Sequence, residues 1–212
     1  MGGVIAAIII GVIVLILIII YIANYNGLVG LRNQVKNAWA QIDVQLKRRH
    51  DLIPNLVETV KGYAAHERGT LEAVTNARNI AQSVASSGGS VADRAKAEGE
   101  LSSALSRLLA VVENYPNLKA NQNFLALQEE LTSTENKISF SRQYYNDSVL
   151  RYNNKTQMFP SNIIAGISGF KQSDFFEVKT AEEREAPKVS FVTPTTPSSP
   201  SNPGNPTNPS VR

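Results

Sequence analysis

Residues 4–23 read VIAAIIIGVIVLILIIIYIA, twenty consecutive positions without a charge or a proline. At about 1.5 Å of rise per residue, one helix of that length covers the ~30 Å hydrocarbon core of a bilayer. Tyr21 and Tyr25 stand where an interfacial aromatic belt would begin. Residues 1–24 therefore read as a single-pass anchor, marked by Val4, Ile10, Leu15, Ile20 and Ala23, with the lipid bilayer as its partner. A cleaved secretory signal needs a basic leader, a shorter apolar run and a small-x-small exit. Met1-Gly2-Gly3 carries no side-chain charge and Tyr21-Ile22-Ala23 is a poor exit, so the run reads as uncleaved.

Orientation follows from where Lys and Arg lie. Arg32, Lys36, Lys47, Arg48 and Arg49 all follow the run, and none precedes it. The expectation is an outside N-terminus and a cytoplasmic body.

Composition limits the chemistry. The formal charge of +3 is too mild to predict a nucleic-acid partner, and the basic residues alternate with Asp and Glu. The absence of cysteine excludes disulfides and thiolate chemistry, and only His50 and His66 could serve a His-based site. Glu130 and Glu135 lack a histidine three residues on, His66-Glu67 lacks a second histidine, and Gly88-Gly89 lacks the rest of a phosphate loop. No catalytic residue, cofactor or metal is expected, and the chain reads as a non-enzyme.

Beyond the anchor the pattern is helical. Leu28, Leu31, Val35, Trp39, Ile42, Leu46, Ile53, Val57 and Val60 recur in steps of three, four and seven, which trace one helix face. The spacing predicts helices over about 25–65, 67–86, 90–114 and 122–157, followed by an apolar end segment, 158–176. Pro54 falls inside the first helix and should kink it. Short connections make successive helices antiparallel, so the fold class is all-α: an anchor continuing into an up-down-up-down four-helix bundle over residues 25–180. Prolines recur every third residue from Pro194 to Pro209, and residues 181–212 read as a disordered Pro-rich tail.

The helices are unequal. The second and third cannot reach along the whole first helix, which leaves the membrane-proximal stripe uncovered. Leu28, Leu31, Val35, Trp39 and Ile42 are therefore candidate contacts in a homo-oligomer. The alternative cover is the end segment, which holds Phe159, Ile163, Ile164, Ile167, Phe170, Phe175 and Phe176 and could close the open end or touch lipid. Polar residues also interrupt the stripes. His50, Arg78, Glu135 and Arg142 are expected to pair across the core, since a buried charge is costly alone. Lys47-Arg48-Arg49-His50 reads as a solvated face, with Arg49 in reach of Asp43 or Glu135.

Three segments carry a more specific likeness. They are LRNQVKNAWAQIDVQLKRRHDLIPNLVETVKGYAAHE from residue 31, the YPNLKANQNFLALQEELTSTENKISFSRQYYNDSVLRYN block from residue 115, and Phe159-Pro160. Within them Asp51-Leu52-Ile53-Pro54-Asn55-Leu56-Val57 and Tyr144-Tyr145-Asn146 with Tyr152-Asn153 are the most telling. The chain resembles the LemA family of bacterial membrane proteins over about residues 4–176. The resemblance implies an anchored antiparallel helical bundle in the bacterial inner membrane, with no agreed activity. It also implies links to membrane organisation, including magnetosome membrane formation, and to a membrane zinc protease. The expected function is a self-associating, coiled-coil-like scaffold for membrane or envelope complexes. The alternative is an adaptor for a membrane protease or another partner, recruited by the bundle or the tail.

Overall fold

The computed structural model describes residues 1–177, and their regular structure is entirely helical. Helix α1 runs Gly2–Lys61 without a break, so the apolar run and the body share one helix of 60 residues. Its first third is rich in Ile and Val, which favour strands in water. In lipid a lone segment can satisfy its backbone groups only as a helix. This stretch is long and apolar enough to cross a membrane, and none of it is buried by the protein.

Five helices follow: α2 (Arg68–Ser86), α3 (Val91–Val112), the short α4 (Pro116–Lys119), α5 (Gln122–Gln157) and α6 (Ser161–Ser168). Their ends obey local chemistry. Gly88, at φ +70°, turns the chain after α2. Ser90 and Asp93 exchange hydrogen bonds in a capping box that starts α3. Pro116, at a position needing no donor, begins α4. Asn121 caps α5 by accepting from the Phe124 amide at 3.0 Å.

Helices α1 and α5 lie antiparallel along each other. Cross-links mark the register from the far end to the membrane end: Asn121 Nδ2 to Tyr63 at 2.9 Å, Arg49 to Glu135 at 2.7 Å, Gln34 to Tyr144 at 3.3 Å and Lys155 to Asn24 at 3.1 Å. Helices α2 and α3 pack on each other and on α1, α2 along its distal half and α3 through side chains such as Glu98 and Arg94, which meet Arg49 and Asp43. The core divides accordingly. A distal cluster centres on Ile53, Leu56, Val74, Leu101, Leu108 and Phe124. A proximal one holds Val35, Ala38, Ile42, Leu46, Ile138, Tyr145, Val149 and Tyr152.

The expected oligomer contacts are corrected here. Leu28, Val35 and Ile42 are buried within the single chain, and Leu31 and Trp39 are half-buried. Phe176 and Phe170 join the proximal cluster, and Ile164 and Ala165 cover Leu28. Trp39 packs edge-on to Tyr145 and against Phe176, with the Arg94 guanidinium 4.8 Å from its ring centre. The chain returns after α5 and closes the gap that the short α2 and α3 leave. The expectation for residues 181–212 lies outside the described residues.

Candidate functional site

Two arrangements carry the unusual chemistry. The first is a charged layer between the two core clusters. Arg49 and His50 follow Leu46 and precede Ile53 on α1, and both are buried. The Arg49 guanidinium donates to Glu98 on α3, to Ser102 Oγ at 2.9 Å and to Glu135 on α5 at 2.7 Å. His50 Nε2 stands 2.9 Å from the other Glu98 oxygen. Burial pushes the Glu98 carboxyl upward, but its contact with His50 and the charge of Arg49 outweigh that and hold it below the ordinary carboxylate value.

Of the four residues expected to pair, His50 and Glu135 enter this layer. Arg78 meets it through the backbone, with Nε donating to the His50 carbonyl at 2.7 Å. Pro54 explains that bond: it has no N–H, so the carbonyl four residues earlier lacks its helical donor. Arg142, half-buried one turn beyond Ile138, makes no hydrogen bond or ion pair among the described residues. The centre of the layer is instead Arg49 and Glu98. Arg49 belonged to a run read as solvated, yet only Lys47 and Arg48 of that run are exposed, and Asp43 pairs with Arg94 at 2.6 Å. Glu98 stands three residues before Leu101 on the apolar stripe of α3, and that position was the available signal.

The second arrangement is the membrane-proximal end. After α6 the chain runs back along α5 as a strap, held by two Tyr-Asn pairs seven residues apart. Asn153 donates to the Ser173 carbonyl and accepts from the Ser173 amide, both at 2.9 Å. Asn146 does the same with Phe176, at 3.2 and 2.9 Å. Tyr152 donates to the Lys171 carbonyl at 2.8 Å and Tyr145 to that of Asp174 at 2.9 Å. The spacing has a geometric cause. Seven residues of helix rise about 10.5 Å, which three residues of extended chain also span. Burial, and secondarily the charge of Asp174, push the Tyr145 hydroxyl up to about 12. Helix α6 sits against the end of the apolar run. Ser161 donates to Asn24 at 2.7 Å, Ser168 and Tyr21 hydroxyls are 3.4 Å apart, and Phe170 meets Tyr25 edge-on.

Among the described residues no three His, Cys, Asp or Glu side chains are grouped to hold a metal. Outside the apolar run, exposed large apolar side chains include single ones such as Val44, Ile80 and Leu150 and two groupings. Leu125 and Phe140 line one shallow groove on the outer face of α5, together with Thr132 and Asn136. Met158, Phe159, Ile163 and Ile167 crowd the end beside α6.

An all-helical chain whose body continues one long lipid-compatible helix, with charge used to set packing, is a membrane-associated helical protein. The LemA family profile matches residues 38–191, and the chain belongs to the LemA family. It is similar to the magnetosome proteins MamQ 2 and MamQ 1 of Paramagnetospirillum magneticum. Each is 27% identical over 180 residues, covering 74% of this chain and 66% of the relative. It is also similar to protein LemA of Metamycoplasma hominis, 24% identical over 174 residues, covering 82% of this chain and 76% of that one. The chain thus spans just under two thirds of the length of the magnetosome relatives.

Proposed function

We propose that this protein is a non-enzymatic scaffold, anchored once in the bacterial inner membrane, that self-associates and organises membrane or envelope complexes. In this reading residues 1–24 are the anchor, residues 25–180 form the four-helix bundle on the cytoplasmic side, and the N-terminus lies outside. The continuity of α1 from apolar run to body carries the reading, because one helix transmits position and tilt from the bilayer to the packed domain. The ionisable groups that are buried hold each other between three helices, which suits a register device better than a reacting centre. Similarity to magnetosome proteins supports a role at an organised membrane.

The self-association surface is the outer face of α5. Phe140 is 73% exposed and Leu125 is 49% exposed, and the two line one groove on that face. The test is the mass of the detergent-solubilised full chain beside a Phe140→Asp variant. The scaffold reading expects an oligomer that dissociates on substitution. A wild-type monomer at all concentrations sinks it and leaves the adaptor reading, in which the same face or the Pro-rich tail receives a membrane protease or another partner.

A further inference from the structure

Resting on the reading of α1 as membrane-spanning, the geometry of α6 makes it a second membrane contact. We infer that its outward face docks into the headgroup boundary of an anionic phospholipid bilayer, in the leaflet from which α1 emerges. The helix carries two apolar faces. Ser161, Ile164 and Ala165 are buried, the latter two against Leu28. Ile163 and Ile167, four residues apart on the helix, point the other way and are 54% and 74% exposed, and Met158 and Phe159 in the turn before it are 62% and 79% exposed. Water disfavours such a surface on so short a helix.

The depth of α6 says what covers it. Both of its ends touch the last turns of the apolar run: Ser161 hydrogen-bonds Asn24 and Ser168 lies 3.4 Å from Tyr21. Tyr21 precedes the end of the run, so a bilayer crossed by residues 4–23 reaches the level of Ser168. Phe170 extends this level by packing on Tyr25, with the Arg32 guanidinium 5.0 Å over its ring. An apolar face held beside a membrane span at the interface is a monotopic contact.

Charge selects the headgroup. Within residues 24–42 and 148–173, the two segments that build this end, the residues charged at neutral pH are Arg32, Lys36, Arg151, Lys155 and Lys171, and no Asp or Glu occurs. The nearest acids on these elements are Asp147, between the Tyr144 and Lys155 cross-links, Asp174, between the strap residues that Asn153 and Asn146 hold, and Asp43, farther along α1. A collar in which five basic residues face two acids, with none of the acids on α6 or the turn before it, favours anionic over zwitterionic lipid, and long basic side chains can lay their stems on the apolar surface while their charges reach phosphate.

The chain has no cysteine, so single labels can be placed in the full-length protein. Ile167→Cys, Val44→Cys and Leu15→Cys variants would carry an environment-sensitive fluorophore in vesicles of phosphatidylcholine with or without phosphatidylglycerol. The expected result is a blue shift with shallow quenching by spin-labelled lipid at Ile167, stronger with phosphatidylglycerol and lost in part on Lys171→Gln. Leu15 should be deep in both vesicles and Val44 aqueous in both. A label at Ile167 as aqueous as Val44, with Leu15 in lipid, overturns the inference while sparing the anchor. An aqueous Leu15 overturns the anchor itself. Equal insertion without phosphatidylglycerol overturns the anionic preference, and efficient disulfide formation between two Ile167→Cys chains makes a second copy the occupant instead.

Discussion

Arg78 donates from Nε to the carbonyl oxygen of His50 at 2.7 Å, the acceptor that Pro54 deprives of its helical partner. A residue of α2 thereby repairs a fault in α1, and the repair fixes where the α2–α3 hairpin sits along the rod. Replacing Arg78 with Met should cost about 1–3 kcal/mol, the penalty of leaving a buried carbonyl unmade. Introducing Pro54→Ala in that background should recover part of the loss by restoring the backbone donor. Denaturant unfolding of the four proteins of this cycle measures the coupling, and strict additivity would refute the repair.

Arg49 is the hub of the charged layer, so its loss strands Glu98. Arg49→Met should destabilise the body by about 3–5 kcal/mol, as for other buried pairs broken from one side. Glu135, whose side chain is 55% exposed, contributes far less. Its change to Gln should cost no more than about 1 kcal/mol. Thermal unfolding would rank the two.

Acidity should act through Glu98. Its folded-state pKa is below the reference of 4.5, so the unfolded chain binds the proton more readily. The stabilisation is complete above about 4.5 and is lost as pH falls through the lower folded value. A Glu98→Gln variant should be less stable near neutrality and show a flatter acid limb in unfolding titrations. At the alkaline end Tyr145 has the opposite sign: its contribution is present below 10.0 and is lost as pH rises toward about 12.

The Tyr-Asn pairs should release the strap when weakened. Asn153→Ala removes two hydrogen bonds at a buried position and should cost about 1–3 kcal/mol locally. Hydrogen exchange should accelerate at the Ser173 and Phe176 amides, which Asn153 and Asn146 hold, and much less at Leu101 on α3. Uniform acceleration over both regions would mean that the strap is not a separate unit.

Much was legible before any coordinates, because periodicity reports burial. The stripe from Leu28 to Val60 and that from Phe124 to Tyr152 place most of the residues that α1 and α5 bury. A polar residue on a stripe signals a partner, yet periodicity does not name it. His50, Glu135 and Arg78 were visible that way, and the reach of Arg49 to Glu135 was too, whereas its burial against Glu98 hid inside a run of four basic or titratable residues that looked solvated. Arg142 shows the reverse error, since a polar residue beside a stripe can also turn partly outward.

By itself the sequence determined the length of the apolar run, the all-helical class and the apolar faces. Each depends on a local period, on proline and glycine, or on the requirement that backbone groups in lipid satisfy themselves. Only the tertiary structure decided what covers those faces. The stripe from Leu28 to Ile42 looked vacant because α2 and α3 are short, and it is closed by a strap that joins it across more than a hundred residues. Contacts of that kind depend on how the chain returns in space, through two asparagines matched to an extended backbone, and no local period encodes them.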